Sequence, residues 1–188
     1  QRGGYLLTNV SPVSGGYHLW EVFGEAAVPL ARNLPFFDKL DLNAAVRYTK
    51  YSTSGGVTTW KAGLVWQPIE DVRLRGTVSQ DIRAPNVPEL FAGTVQNTGS
   101  VVENGVTVPI IQVTRGNAAL KPERAKTYTA GIVVVPRAVP GLTMSVDYYQ
   151  IDLKGVISSL TPQITLDQCL AGAASLCTNI LRNSAGQI

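Results

Sequence analysis

The sequence lacks any apolar run approaching the roughly 20 residues that a membrane-spanning helix needs. A membrane protein with this sequence would therefore have to be a β-barrel, the other structure that satisfies every backbone polar group in lipid. Charge is scarce, because 15% of the residues are charged against about a quarter in soluble domains. The net charge of +3 is too small to indicate nucleic-acid binding. The chain begins at Gln1 without a signal peptide, which indicates a mature protein or a fragment.

Histidine and cysteine are also scarce, which excludes most sites built from them. His18 is the only histidine, and nothing in the sequence marks a serine or cysteine as its nucleophile partner, so no catalytic set is visible and no enzymatic activity is expected. A Cys/His metal site is not expected either, and no cofactor is predicted. The two cysteines, Cys169 and Cys177, lie close together and predict a small disulfide formed in an oxidising compartment. Two free thiols in a cytosolic protein remain the alternative.

Alternation of apolar and polar residues is the strongest pattern in the chain. It is clearest where Val72, Leu74 and Val78 fall on one face of a strand and Arg73 and Arg75 fall on the other. Similar alternation elsewhere predicts about six strands, each roughly ten residues long or slightly longer. The predicted strands cover residues 18–28, 40–51, 58–67, 72–80, 124–134 and 142–153.

The predicted connections fall into two groups, compact turns and long segments. Turns are predicted at 29–39, 52–56, 68–71 and 136–141. Long segments with little regular pattern occur at 1–17, at 81–122 and from 156 onward. Within 81–122, a helical turn is predicted at 89–91 and a hairpin at 101–108 around Asn104–Gly105. The two longest segments share one end of the strands, opposite the proline-marked turns, which is typical of outer-membrane barrels.

The two faces of the predicted sheet differ in charge. One is apolar across all strands, with aromatic residues mainly near the strand ends. The other is predicted to face a barrel lumen and carries Glu21, Glu25, Asp41, Arg47, Lys61, Arg73, Arg75 and Asp147. These features predict an all-β fold, an antiparallel transmembrane β-barrel, here an incomplete segment with two long extracellular loops. A soluble β-sandwich that acts as a binding module remains the alternative, because its sheets alternate in the same way.

Four stretches follow patterns that go beyond alternation. They are residues 40–48, 74–86 with 89–91, 116–123, and 141–149. The Arg-Ala-Pro sequence at 83–85 is followed, across a variable loop, by Asn-x-x-Leu-x-Pro-Glu at 117–123. In order and spacing these stretches resemble the C-terminal part of the β-barrel of TonB-dependent outer-membrane receptors. The resemblance covers nearly the whole chain, from about Trp20 to Asn183.

The resemblance implies a role in transport. In such receptors about 22 strands surround a separate plug domain, and ligand binds at the extracellular loops and the plug apex. The TonB–ExbB–ExbD complex then acts through the plug to drive uptake of a scarce ligand, such as a ferric siderophore, cobalamin or an oligosaccharide. The expected location is the bacterial outer membrane, in contact with its lipid. A passive porin or an adhesin barrel is the alternative.

The same resemblance bears on how much of a receptor this chain contains. Residues 1–188 would be a partial barrel domain that lacks the plug, the TonB box, the early strands and the final strands. Six strands cannot close a barrel of that type. We therefore expect a fragment that cannot transport on its own.

Single residues receive roles on this basis. Glu103 and Arg115 lie in the first long loop and are candidates for ligand contact. Arg73 and Arg75 are expected to form lateral ion pairs within the wall, with Asp81 or with residues on the strand of Lys61. The alternative is that they pair with plug carboxylates or attract anionic ligands. The disulfide would stiffen the last loop.

A second group of residues is expected to anchor the first long loop at the rim of the barrel. A salt bridge between Arg83 and Glu89 is expected there, and Glu123 is expected to pair with an arginine. Pro85 would end its strand, because proline removes a ladder donor. The whole anchoring motif is Arg83, Pro85, Glu89, Asn117, Pro122 and Glu123.

Overall fold

A computed structural model describes residues 8–10, 13–184 and 186–188 of the chain. Within these ranges the chain forms strands and three short helices and divides into two compact units. The sheet unit comprises Tyr17–Pro85 and Ala119–Val156. The loop unit comprises Gln1–Gly16, Asn86–Ala118 and Ile157–Ile188.

Each strand and each helix lies within one unit. The strands are β1 (Thr8–Val10), β2 (Leu19–Leu34), β3 (Phe37–Tyr51), β4 (Gly55–Ile69), β5 (Val72–Arg83), β6 (Val95–Glu103), β7 (Val106–Thr114), β8 (Glu123–Val134) and β9 (Met144–Lys154). The helices are α1 (Val87–Phe91), α2 (Pro162–Leu170) and α3 (Ala174–Cys177). The loop unit is therefore built from insertions between and around the strands of the sheet unit.

The sheet unit is one antiparallel sheet in the order β2-β3-β4-β5-β8-β9. Its register keeps the side-chain alternation in phase from strand to strand. Val78 lies between Ala62 and Tyr128, whereas Ser79, on the opposite face, lies beside Lys61. Because β2 and β9 are edge strands, the sheet is not closed within the described residues. The predicted all-β antiparallel fold with six wall strands is confirmed, as an open segment.

Several strands are longer than their sequence pattern predicts. The turn predicted at 29–39 is wrong, because β2 continues through Pro29 and the turn occupies only residues 35–36. The pairing register shifts just after Pro29, and it shifts again around Pro68 in β4. A proline has no N–H to donate, so a strand accommodates it where the ladder is interrupted by a bulge.

The connections at the two ends of this sheet differ in length, as the sequence predicts. At one end the strands are joined by residues 35–36, 70–71 and 135–143. At the other end the short turn 52–54 lies on the same side as the insertion 84–122 and the segment that follows residue 154. Both long insertions therefore leave the sheet from the same end.

The loop unit is more regular than the sequence pattern indicates. Residues 81–83 complete β5. The hairpin predicted at 101–108 around Asn104–Gly105 is confirmed and is longer than predicted, because β6 and β7 pair from Val95 to Thr114. Part of the loop expected at 1–17 is strand β1, which pairs with β6; residues 1–7 and 11–12 of that expectation lie outside the described residues. The last segment, expected to lack pattern, holds α2 and α3.

Buried apolar side chains are few, and most of them belong to the loop unit. Among the described residues, Leu90, Val101 and Leu166 are buried in the loop unit and Val57 in the sheet unit. No helix in the described ranges is long and apolar enough to cross a membrane. Three of these four buried apolar side chains thus lie in the loop unit.

Candidate functional site

The polar face of the sheet brings together side chains from neighbouring strands. Glu21 on β2 lies opposite Thr49 on β3, whose hydroxyl donates a hydrogen bond to Oε2 of Glu21 over 3.2 Å. The Arg47 Nη1 atom lies 3.8 Å from Oε1 of Glu21, and its guanidinium stands 5.5 Å from the centre of the Phe23 ring. These four side chains, two from β2 and two from β3, form a small charged cluster on one face of the sheet.

A shallow hollow of about 280 Å³ lies beside this cluster on the same face. Its lining includes the cations Arg47 and Lys61, the carboxylates Glu25 and Asp81, and the ring of Phe23. Charges of both signs in an open hollow suit a polar or charged neighbour better than an apolar ligand. The structure therefore places three of the predicted lumen-facing residues, Glu25, Arg47 and Lys61, around one hollow.

Arg75 and Asp147 form an ion pair that spans a strand. The Arg75 Nε and Nη2 atoms donate to the two carboxylate oxygens of Asp147 over 2.9 and 2.6 Å. Between them on β8 lies Gly131, where an added Cβ would collide with the carboxylate and approach Nε of Arg75 to 3.1 Å. Gly131 therefore leaves the space that the bridge crosses, a role that the sequence pattern alone does not reveal.

Arg73 lies two residues before Arg75 in β5, on the same face of the sheet. It pairs with Val133 of β8. Among the described residues it has no ion pair within 4.0 Å. Of the two arginines expected to pair laterally, the structure gives a wall partner to Arg75, and that partner is Asp147 rather than Asp81. The side chain of Asp81 instead accepts a hydrogen bond of 2.7 Å from Ser79.

The anchoring motif is divided between the two units. In the sheet unit, Arg83 lies directly opposite Glu123 and donates two hydrogen bonds to its carboxylate, over 2.9 and 2.7 Å. The Glu123 side chain is 12% exposed, so this bidentate pair is shielded from water on one side. Pro85 is fully buried, and Pro122 immediately precedes Glu123. These residues close the ladder where β5 ends and β8 begins.

In the loop unit, Glu89 and Asn117 meet at helix α1. The Asn86 side chain accepts from the Glu89 amide, and the Glu89 carboxylate accepts from the Asn86 amide, each over 2.8 Å, forming a capping box. The Asn117 amide donates to the carbonyl of Glu89 over 2.8 Å, and the Gly116 amide donates to the carbonyl of Ala92 over 2.9 Å. Asn86 was missed as part of the motif, although its spacing to Glu89 is a readable capping signal.

The two candidate ligand contacts differ in their surroundings. Glu103, at the end of β6, forms a salt bridge with Arg182, and its side chain is 16% exposed. The hydrogen bond from Arg182 lowers the pKa of the Glu103 carboxyl below its usual range. Arg115 is exposed, and no hydrogen bond or ion pair of its side chain is found among the described residues. The Glu103 carboxylate therefore already has a cationic partner, whereas Arg115 is open to solvent.

The C-terminal segment of the loop unit contains the predicted disulfide. Cys169 and Cys177 are bonded, with their Cα atoms 4.9 Å apart, and the bond joins α2 to α3. Gln163, near the start of α2, hydrogen-bonds to the backbone of β6 at Val102. Sequence reasoning missed Gln163 and Arg182, because nothing in their local sequence marks partners more than 60 positions away.

A family model described as TonB-dependent receptor-like, β-barrel, matches residues 4–187 of the chain. The match covers both units and nearly the whole sequence. The chain belongs to the TonB-dependent receptor β-barrel family. This membership replaces the soluble β-sandwich interpretation. Barrels of the TonB-dependent receptor family are outer-membrane proteins of Gram-negative bacteria, and the family consists of transport receptors rather than enzymes.

Two solved structures of siderophore receptors share this fold. The siderophore receptor PirA from Acinetobacter baumannii matches with a TM-score of 0.60 and 19% identity. A mutant of the ferric enterobactin receptor PfeA from Pseudomonas aeruginosa matches with a TM-score of 0.58 and 21% identity. Each match covers 73% of this chain and 18% of the receptor chain. The chain thus spans about a fifth of the length of either receptor.

Proposed function

We propose that this chain forms part of the barrel wall and the extracellular surface of an outer-membrane receptor that takes up a scarce ligand with energy from TonB. The family match over residues 4–187 is the observation that carries this proposal. The open edges of the six-stranded sheet support a partial barrel domain, with the plug, the TonB box, the early strands and the final strands outside residues 1–188. In this proposal the wall supports transport only together with those parts.

The apolar face of the sheet is proposed to contact lipid, and the polar face to line the lumen and meet the plug. Aromatic pairs near both ends of the strands support this. Trp20 and Tyr48 lie 5.5 Å apart near one end, and Phe37 and Trp66 lie 5.7 Å apart near the other. At ~3.4 Å per residue the two levels are about 27 Å apart along a strand. At the usual tilt of barrel strands this gives about 21 Å, close to the ~25 Å apolar band of outer-membrane barrels.

The end with the long insertions is proposed to face outward. Short turns face the periplasm and long loops face the exterior in outer-membrane barrels, and the connections of this sheet divide in that way. Arg115 would then be an exposed cation on the ligand side. Glu103 would keep a structural role through its salt bridge unless a ligand displaces Arg182.

The ligand is proposed to be a ferric siderophore. Its uptake is proposed to be driven by the TonB–ExbB–ExbD complex, which acts through the plug. The support is that both solved structures named above are siderophore receptors. At 19% and 21% identity they share the fold with this chain, so a ferric siderophore is the first ligand class to test. Cobalamin and oligosaccharides are the alternatives that the sequence resemblance leaves open.

The experiment is uptake by whole cells under iron limitation. Strains carrying the full-length receptor gene, a deletion of it, or a deletion of tonB would be given radioactive iron(III) bound to a panel of siderophores that includes enterobactin. We expect uptake of at least one complex to fall to background in both deletion strains and to return with the receptor gene on a plasmid. Uptake that depends on the receptor gene but persists without TonB would identify a passive porin and overturn the proposal.

A further inference from the structure

The tip of the β6–β7 hairpin is held by a side chain from the other long insertion. Gln163 of α2 accepts a hydrogen bond from the Val102 amide over 2.7 Å and donates one to the Val102 carbonyl over 3.0 Å. The side-chain amide thus takes the place that a peptide group of a neighbouring strand would occupy. Strand β1 covers the same edge of β6 only from Val95 to Asn97, so Gln163 continues its coverage toward the tip.

The amide of Gln163 has no freedom to turn over. Its second N–H donates to Oδ1 of Asp167, one helical turn further along α2, over 2.8 Å. A flipped amide would place its oxygen against that carboxylate and its nitrogen against the Val102 N–H. All the donors of the side-chain amide are therefore used, and Asp167 fixes the orientation in which Gln163 matches the strand backbone.

The residues on both sides of Val102 are held by the same C-terminal segment. Glu103 forms its salt bridge with Arg182, whose Nη1 atom also donates to the carbonyl of Gly186 over 2.8 Å. Val101 is 3% exposed, and Leu166, on the helix that packs against β6, is 1% exposed. Two consecutive residues of one insertion, Val102 and Glu103, thus meet an amide and a cationic side chain of the other, and the residue before them is buried.

The disulfide belongs to the same segment. Cys169 lies three residues after Leu166 on α2, and its bond to Cys177 closes a short ring around the end of that helix. The helix that carries Gln163 and Leu166 is therefore constrained covalently. A nine-residue helix is marginal in water by itself, so the ring adds to the Thr161 cap and the contacts with β6 in keeping α2 formed.

We propose that the two long insertions, 86–118 and 157–188, move as one body during ligand capture, with Gln163 as the positioning residue that couples them. This inference rests on the proposed function for its purpose, because both insertions leave the ligand-facing end of the wall. A ligand that contacts either insertion would then shift both. Two independent loops would each have to be ordered separately, at a greater cost in conformational entropy.

The test is amide hydrogen exchange on the full-length receptor in detergent, followed by mass spectrometry. In the unaltered receptor, we expect β6 near Val102 and helix α2 to exchange through one shared opening and therefore at matching protection factors. Gln163→Ala should accelerate exchange at Val102 and the hairpin tip by about tenfold or more, although the substitution lies on the other insertion. The matched control is Gln168→Ala, an exposed glutamine of the same helix, which should leave the hairpin unchanged.

A charge exchange gives a second, independent readout. Arg182→Glu should loosen the hairpin tip by setting two carboxylates against each other, and combining it with Glu103→Arg should restore most of the protection. Hairpin exchange that is unmoved by Gln163→Ala and by Arg182→Glu would show two independent loops and overturn the inference. Because exchange is measured without ligand, that outcome would leave TonB-dependent uptake untouched, and loss of TonB dependence would leave the coupling untouched.

Discussion

The sheet unit and the loop unit are stabilised in different ways. Backbone ladders connect the six strands of the sheet unit, while large apolar side chains such as Val22 and Val146 remain 59% and 71% exposed. The loop unit instead buries Leu90, Val101 and Leu166 and adds a disulfide and specific polar contacts. The sheet unit has long strands and almost no interior, whereas the loop unit has shorter strands and helices and buries a few apolar side chains.

The difference indicates that the two units are stabilised in different environments. A sheet with one apolar exposed face gains stability only when a second apolar medium covers that face, and lipid is the medium proposed here. A small segment with few buried residues is stabilised by cross-links and polar networks, as small extracellular domains are. The predictions below separate the units, because each substitution should affect one unit and spare the other.

The largest effect is expected for a charge placed on the apolar face of the sheet. Ala130 lies near the middle of β8, between Gly76 and Tyr148. In the full-length receptor folded into lipid vesicles, Ala130→Lys should lower the free energy of unfolding by about 2–4 kcal/mol, since a lysine would lie near the bilayer midplane. Denaturant-induced unfolding, followed by tryptophan fluorescence, measures this change.

The matched control for that substitution is the neighbouring residue. Thr129 lies on the polar face, opposite Thr77 and Tyr149, so Thr129→Lys should cost less than about 1 kcal/mol. If the two lysine variants were equally destabilised, the two faces would not differ in their surroundings. The assignment of lipid to the apolar face would then be wrong.

The second prediction concerns the loop unit. Replacing Cys169 and Cys177 together by alanine should destabilise local structure around α2 and α3 by about 2–3 kcal/mol, from the loop-closure entropy of so small a ring. Hydrogen exchange should accelerate in the loop unit and stay unchanged in β3 and β4. Ser175→Ala, inside the same ring, is the control. Acceleration spread evenly over both units would contradict the division between them.

The sequence predicts the sheet unit far better than the loop unit, for a physical reason. Alternation along a strand is a local signal, so the six strands and the faces of Arg75 and Asp147 can be read from neighbours in the sequence. The prediction of a turn at 29–39 was wrong because a bulge can hold a proline inside a strand. Such a bulge depends on the partner strand and is not visible in the local sequence. The hairpin turn at Asn104–Gly105 was predictable from its residues.

What could not be predicted lies mainly in contacts between distant segments. Strand β1 pairs with β6 85 to 89 positions later, and Gln163 reaches Val102 over 61 positions. Neither contact leaves a periodic pattern, because each uses only one or a few residues. Gly131 and Gly116 are needed because an added Cβ would collide with neighbouring atoms. Those neighbours belong to other parts of the chain, so the sequence around each glycine does not reveal the need.

The third prediction concerns the close packing around Gly116 in the loop unit. A Cβ at Gly116 would lie 2.5 Å from the Ala92 nitrogen and 2.7 Å from the Leu90 oxygen, both backbone atoms that cannot turn aside. Gly116→Ala should therefore displace α1 from the segment that follows β7 and lower the local stability by about 1–3 kcal/mol. Faster exchange of the Asn117 amide, which donates to Glu89, reports the change.

The control for Gly116 is another glycine of the same unit. Gly99 lies in β6, and the nearest atom to an added Cβ is the Ile110 Cγ1, at 3.9 Å, which is ordinary contact. Gly99→Ala should leave the exchange of Asn117 unchanged. If both alanine variants slowed or sped this amide alike, close packing at Gly116 would not be what fixes α1.

The smallest effect is expected from acid. The salt bridge with Arg182 lowers the pKa of Glu103 in the folded chain, so its contribution to stability is complete above the ordinary glutamate pKa of about 4.3 and is lost as pH falls through the lower folded value. Arg182 stays protonated throughout, because the same contact raises its pKa. Carboxyl NMR of the full-length receptor should place the Glu103 titration below that of an exposed glutamate, and Arg182→Gln should return it to the ordinary value. A Glu103 titration that Arg182→Gln leaves in place would mean that the salt bridge does not persist in solution and that the hairpin tip relies on Gln163 and Val101 alone.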